Sequence, residues 1–524
     1  MTDLEKSSVV NISSTPTGQA TKKHLRGSTL LLTGRVISMA TNFTVQVLIV
    51  RFLSKNDYGA FAYVLSLISL GTSLSVFGFD KAITRFIPMY QEKVEYDKVF
   101  GAIIIMVGTV FSLGFLLVAL VFGFRERIAE SLIGGQLTNQ LLLLLIILVP
   151  IQALDSLLVG LLAIFSKPGS IFFRRYILAP TLKLLAVLLL IVFRSTVFFL
   201  SIGYIAAGVI GITIYYGILV RDLRKQEIWK HFNRQKIIFP IKEIFGFSAP
   251  LLTSNFVYVI RSQLVIVLLG YYRGTLDVAA YRAVQPVADL NTTVIQSFGL
   301  LFMPAMARMF ARKDQEAIDD LYWQNAVWIT VISFPIFLLT FSLAQPLTLL
   351  LFGERYAQSG MIMAVLAFGY YFNAALGFNA DTLRIHGRLG YVLLIDFVAM
   401  FISVILNLVL IPQFGAMGAA IGTCATLVLY NILNHLGLKL ATKINLFQWR
   451  YFRVYLSIAL GTLGLTLLQT LLTPPIYLGV LLAGGIAFIV LFINRDVLNV
   501  ESTFPELLRF QLVRMLAATN RGDK

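Results

Sequence analysis

The stretch "TGRVISMATNFTVQVLIVRF", Thr33 to Phe52, decides how the rest of the chain is read. It is apolar enough to lie in hydrocarbon, yet it carries Arg35 inside the run. A bilayer core about 30 Å thick needs about 20 predominantly apolar residues per helix. A guanidinium in such a segment costs about 2.5–3.5 kcal/mol on insertion scales. Either the side chain snorkels to the interface, or it is kept there for a ligand.

Composition puts the whole chain in the same solvent. Of its 524 residues, 58% are hydrophobic and 13% charged, and the mean hydropathy is +0.82. A soluble domain carries about a quarter charged residues. The expected fold is therefore an all-α polytopic membrane protein. About fourteen apolar stretches of spanning length follow one another. Six lie between residues 29 and 220, six between 244 and 438, and two near 451–472 and 475–493. An even count puts both termini on one side. With that side cytoplasmic, about 32 Lys and Arg fall in inner segments and about 7 in outer ones, as the positive-inside rule requires. The net charge of +17 is thus read as topology and contact with anionic membrane lipids, not as a nucleic-acid footprint. The expected location is the cell membrane, plasma or inner.

Several chemistries are disfavoured. The single Cys424 excludes an intrachain disulfide, and the four histidines lack metal-ligand spacing. No Walker-type loop, Gly-x-Ser-x-Gly or His-Glu-x-x-His motif occurs. Neither an enzymatic activity nor a cofactor or metal is expected.

The basic segment "VRDLRKQEIWKHFNRQK" (Val220–Lys236) divides the chain, and the sequence repeats weakly across it. "SKNDYGAFAYVLSLISL" (Ser54–Leu70) parallels "GTLDVAAYRAVQPVADL" (Gly274–Leu290), and "SLIGGQLTNQ" (Ser131–Gln140) parallels "LLFGERYAQS" (Leu350–Ser359). Both matches share an offset of about 220 residues, a parallel repeat about an axis along the membrane normal. The expected organisation is a disordered cytoplasmic tail over 1–28, a first six-helix lobe over 29–221, a cytoplasmic linker loop over 222–243 and a second six-helix lobe over 244–440. Two extra helices follow over 441–493, and a cytoplasmic tail over 494–524. In that tail "STFPELLRFQLVRML" (Ser502–Leu516) has a capping box and an apolar stripe suited to a surface helix.

Ionisable residues inside the spans are functional candidates by default. Arg35 lies roughly 9 Å into its span and Lys183 about 12 Å, depths from which a long side chain can still snorkel. Arg282 is near the outer interface and reads as a snorkelling residue. Asp289 and Asp155 are too short to escape, and Asp396 is shallower. Arg261 shares the depth of Asp289. The two read either as a buried pair joining adjacent helices or as a site for a coupling ion or an anion. Asp155 with Lys183 or Arg35 would be the matching set in the first half.

At the junctions the sequence resembles a known family. "RFLSKNDYGAFAYVLSL", "GFDKAITRFIP", "PLTLLLFGERYAQS" and "LNLVLIPQFGAMGAAIGT" occur in the order found in the polysaccharide-transporter (Wzx-type flippase) branch of the multidrug/oligosaccharidyl-lipid/polysaccharide exporter (MOP) superfamily. The resemblance covers nearly the whole chain. It implies movement of a polyprenyl-diphosphate-linked oligosaccharide from the inner to the outer leaflet, with H+ or Na+ as coupling cation and polysaccharide polymerase machinery as partner. In the related lipid II flippases a span-one arginine in a similar Arg-Val-Leu stretch lines the cavity and meets the substrate diphosphate, and "TGRVI" places Arg35 at the matching position. The family's other cavity arginines do not map cleanly, so Arg261 is nominated on depth alone. A multidrug antiporter of the same superfamily and a lipid II flippase are the alternatives. From a different class, a membrane assembly scaffold would need no buried charges.

Overall fold

A computed structural model of the chain describes residues 16–131, 135–166, 168–442, 444–445 and 447–498. Helices follow one another throughout, and no strand occurs among the described residues. The first are α1 (Pro16–Phe52), α2 (Lys55–Val76), α3 (Phe79–Glu92), α4 (Tyr96–Gly123), α5 (Arg125–Ser131), α6 (Gly135–Leu145) and α7 (Leu148–Phe165). A short α8 (Pro168–Ile171) runs through a π-helical turn, Phe172–Leu178, into α9 (Ala179–Val192), and α10 (Val197–Lys225) follows. Then come α11 (Ile241–Arg273), α12 (Thr275–Ala288), α13 (Asn291–Arg312), α14 (Gln315–Thr340), α15 (Ala344–Phe352), α16 (Ser359–Ala375) and α17 (Asn379–Ile385). The chain closes with α18 (Leu389–Thr442), α19 (Phe452–Leu472) and α20 (Ile476–Ile493).

Among the described residues ten helices are long and apolar enough to cross a membrane, eleven if the bent pair Asn291–Gly299 and Phe302–Arg312 counts as one span. That number counts α18 once, although it breaks at Gly415, whose φ of 57° and ψ of −133° are not helical. The break falls between the two spans expected at 390–411 and 415–438. A side chain at Gly415 would be strained by the positive φ and would meet the Asp277 carboxylate at 2.3 Å.

The chain divides into two compact units. Among the described residues, unit 1 comprises those of 16–49, 68–128 and 140–256, and unit 2 those of 50–67, 129–139 and 257–498. Unit 1 packs around α3, α4, α7 and α10. Helix α3 was not expected, because the sequence reading ends the second span at residue 79. After the left-handed turn at Gly78 (φ 75°) the chain re-enters a helix that buries Phe79, Ala82, Ile83, Phe86, Ile87 and Tyr90. Those positions form one face at helical spacing, and interleaved charges hide them from a hydropathy scan. The expected linker loop is also ordered against unit 1. The Phe232 ring meets Phe100 edge-on at 5.0 Å, and the Ile238 amide donates to the Asp97 carbonyl at 3.3 Å. At the N-terminus α1 begins at Pro16, inside the stretch expected as a tail, with proline at a first-turn position where its missing amide costs nothing.

Unit 2 has its own core from α13, α14, α16, α17 and α18, joined by Val454, Ile458 and Leu465 of α19 and Ala483, Ala487 and Val490 of α20. The last two helices are thus part of this unit's packing. Within the same unit Thr275 at the start of α12 donates to Asn56 near the start of α2 at 2.5 Å, the two lying 219 residues apart. The amphipathic stretch Ser502–Leu516 lies outside the described residues.

Candidate functional site

Buried charge gathers in one cluster in each unit. In unit 1 the centre is Arg174, which the sequence reading did not single out. It lies in the π-helical turn, where the Ala179 amide donates to the Arg174 carbonyl five residues back. The cause is local. Pro180 has no amide to donate to the carbonyl four residues earlier, so the ladder is free to widen just before it, and such turns recur at functional sites. The wide turn presents the Arg174 side chain to α7 and α10. Its Nη2 donates to Asp155 Oδ1 at 2.7 Å, its Nε donates to the Gly211 carbonyl at 3.1 Å, and its guanidinium lies 4.1 Å from the Tyr215 ring centroid.

Lys183 stands between two and three turns further along the same helical segment, its Nζ 5.5 Å from the Tyr204 ring. Arg174 holds Asp155 directly, and Lys183 and the exposed Arg175 are further cations within electrostatic range of that carboxylate. Of the expected partners of Asp155, Lys183 is therefore present, while direct contact is made by Arg174. Arg35 is half-buried on α1. Its neighbour Gly34 lies so close to the Phe172 and Tyr176 rings that a Cβ there would meet them at 2.6–2.8 Å. The middle of α1 thus rests on the π-helical turn that carries Arg174 and Arg175.

In unit 2 the expected pairing of Arg261 with Asp289 is not found. Among the described residues the ion-pair partner of Arg261 is Asp396 of α18, at 3.9 Å. The other Asp396 oxygen faces Arg384 of α17, also at 3.9 Å, and Arg384 pairs with Asp381 at 2.8 Å. Arg261 also lies 5.0 Å from the Tyr430 ring centroid. Asp289 sits at the break between α12 and α13 and accepts from its near neighbour Thr292 at 2.9 Å. Equal depth brought Arg261 and Asp289 to the same level without turning them toward each other. Both line a polar cavity of about 210 Å³ with Tyr281, Gln285, Tyr370 and Thr423. Arg282, expected to snorkel, is half-buried and donates to Gln285 at 2.7 Å.

A larger cavity in unit 2, about 810 Å³, is walled by Phe337, Phe341, Tyr371 and Phe372 of α14–α16 and by Ile458 and Leu463 of α19. Its surface is mostly aromatic and aliphatic. Among the described residues no group of three or more His, Cys, Asp or Glu is placed to hold a metal ion.

Chemically the two clusters differ. Unit 1 holds an excess of positive charge able to receive an anion, and arginine forks match phosphate oxygens geometrically. In unit 2 the guanidinium groups of Arg261 and Arg384 are matched by carboxylates, and Asp289 stands apart on a cavity wall.

Known proteins share this fold. A solved structure of the lipid II flippase MurJ in an inward closed conformation superposes with a TM-score of 0.68 at 14% identity, covering 89% of this chain and 99% of that one. An inward-facing multidrug resistance MATE family transporter of the MOP superfamily gives 0.59 at 12% identity, covering 78% and 94%. By sequence the chain is similar to the uncharacterized membrane protein MJ1068 of Methanocaldococcus jannaschii, 26% identical over 420 residues, which span 77% of this chain and 81% of that protein. These likenesses place the chain among multi-pass membrane proteins of the transporter fold. Residues 48–361, more than half of the chain, match the polysaccharide biosynthesis protein family, and the protein belongs to it.

Proposed function

We propose that this protein is a flippase that moves a polyprenyl-diphosphate-linked oligosaccharide from the cytoplasmic to the outer leaflet of the cell membrane by alternating access, for cell-surface polysaccharide synthesis. The observation that carries the reading is the cation-rich segment of unit 1: Arg174 on Asp155 at 2.7 Å, with Arg175 and Lys183 on the same segment, and the middle of α1 packed through Gly34, next to Arg35, on the same turn. Positive charge inside apolar helices is expensive, and a cation-rich segment there suits a diphosphate. Membership in a polysaccharide biosynthesis family and similarity to a lipid II flippase fold support the same direction.

In this reading Arg35 and Lys183 contact the substrate diphosphate, whereas Arg261 is held by Asp396. Asp155, Asp289 and Asp396 answer the positive charge or couple transport to H+ or Na+. The apolar cavity between α14, α16 and α19 suits an isoprenoid tail. Both termini face the cytoplasm, and polysaccharide polymerase machinery receives the product.

Reconstitution into liposomes containing lipid-linked oligosaccharide tests the proposal, with leaflet access measured with and without imposed H+ or Na+ gradients. Protein-dependent appearance of the saccharide in the opposite leaflet is the expected result. Movement of organic cations instead would make the protein a multidrug antiporter, and movement of lipid II alone would make it a lipid II flippase.

A further inference from the structure

At the end of α10, Arg221 and Lys225 stand four residues apart on one helix face. Both line a cavity of about 620 Å³ whose other walls include Phe165, Ser170, Phe173 and Ile218, a volume within the range of ligand sites. Two of the other polar side chains here, Asp222 and Gln226, are already engaged. Ser166 donates to Asp222 at 2.6 Å, and the Gln226 amide caps the Phe165 carbonyl at the end of α7. Arg221 and Lys225, by contrast, form no ion pair among the described residues. Like charges at this spacing repel each other, so the cavity is short of a counter-anion.

Its two walls differ in character. Phe173 is half exposed and apolar, and Ile218 belongs to the hydrophobic stretch of α10 that ends at Val220. The charged residues begin immediately beyond, which sets the cavity at the level where hydrocarbon gives way to headgroups. We propose that this cavity binds one anionic phospholipid, with its phosphate on Arg221 and Lys225 and the root of its acyl chains on Phe173 and Ile218. Basic pockets between transmembrane helices take such headgroups on charge and shape. Asp222 leaves the cavity a net single positive charge, which a phosphatidylglycerol headgroup neutralises and a zwitterionic phosphatidylcholine does not. The site is independent of what the protein transports.

Native mass spectrometry of the full chain, purified with phosphatidylglycerol and phosphatidylcholine, tests it. One phosphatidylglycerol should be retained per chain in preference to phosphatidylcholine. The double variant Arg221→Ala/Lys225→Ala should bind it roughly 30-fold more weakly, each cation near an anionic lipid contributing about a factor of five. Arg224→Ala removes an exposed cation from the same helix without touching the cavity and should retain the lipid. Ile218→Trp keeps both cations but fills the floor and should lose it; this variant decides the matter if the double variant does not fold. Equal retention by all variants would overturn the proposal. So would an equal loss in Arg224→Ala, which would mean diffuse surface charge, or displacement by stoichiometric inorganic phosphate, which would mean a free-phosphate site.

Discussion

Replacing Gly211 by alanine should break the buried charge cluster of unit 1 from the opposite helix. A Cβ at this position would lie 2.1 Å from Arg174 Nη2 and 2.8 Å from Cζ, where ordinary contact begins at 3.4 Å. The guanidinium must therefore withdraw by more than 1 Å, and it cannot do so while holding both the Gly211 carbonyl at 3.1 Å and Asp155 at 2.7 Å. Hydrogen bonds to charged groups contribute about 1.5–3 kcal/mol each. The Arg174 side chain is 5% exposed, but that of Asp155 is 37% exposed and regains water, which lowers the loss. Alanine also gains about 1 kcal/mol of helix propensity over glycine. The net expectation is a destabilisation of about 2 kcal/mol, read as reversible unfolding in mixed detergent micelles. Two comparisons isolate the cause. Gly217→Ala, on the same helix with open space at its Cβ, should be neutral or stabilising. In an Arg174→Ala background Gly211→Ala should no longer cost anything, because the atoms it strikes are gone. Gly211→Ala proving as harmless as Gly217→Ala, or as harmful without Arg174 as with it, would refute the reasoning.

Three further outcomes are expected. In double-mutant cycles Arg261→Ala should couple to Asp396→Asn by about 1 kcal/mol and more strongly than to Asp289→Asn; the reverse order would restore the pairing that depth alone suggested. Arg355 donates to the Val50 and Arg51 carbonyls at the end of α1, so Arg355→Ala should speed hydrogen exchange of that last turn by about fivefold, the loss of roughly 1 kcal/mol of end-capping. Unchanged protection there would show that the contact does not hold the turn. Arg35→Lys keeps the charge but loses the planar fork and should impair flipping partially, whereas Arg35→Ala should abolish it with normal membrane insertion. Full transport by Arg35→Ala would remove Arg35 from the substrate site.

Much of this protein was legible along one dimension. Apolar runs of spanning length declare the solvent and the helices, because a backbone in hydrocarbon must satisfy its own hydrogen bonds. The sequence reading separates two apolar stretches on either side of "IPQFGAM", and the structure breaks α18 there, at Gly415. The cost of burying charge also singled out Asp155, Lys183, Arg261 and Asp396, all of which the structure places in charged clusters.

The partners of these residues could not be read in the same way. Hydropathy and spacing report depth along the membrane normal, but a side chain's neighbours depend on rotation about the helix axis and on which helix packs beside it. Arg261 and Asp289 share a level, yet it is Asp396 that faces the guanidinium. Arg174 was not singled out from the sequence, because only the π-helical turn ahead of Pro180 sets it on Asp155 and Gly211. Helix α3 escaped notice because its buried face alternates with charges. The sequence by itself determined that charge would be buried in these helices, because its desolvation cost is a property of each residue. Only the tertiary structure decided which charges meet, because that depends on packing between segments far apart in the chain.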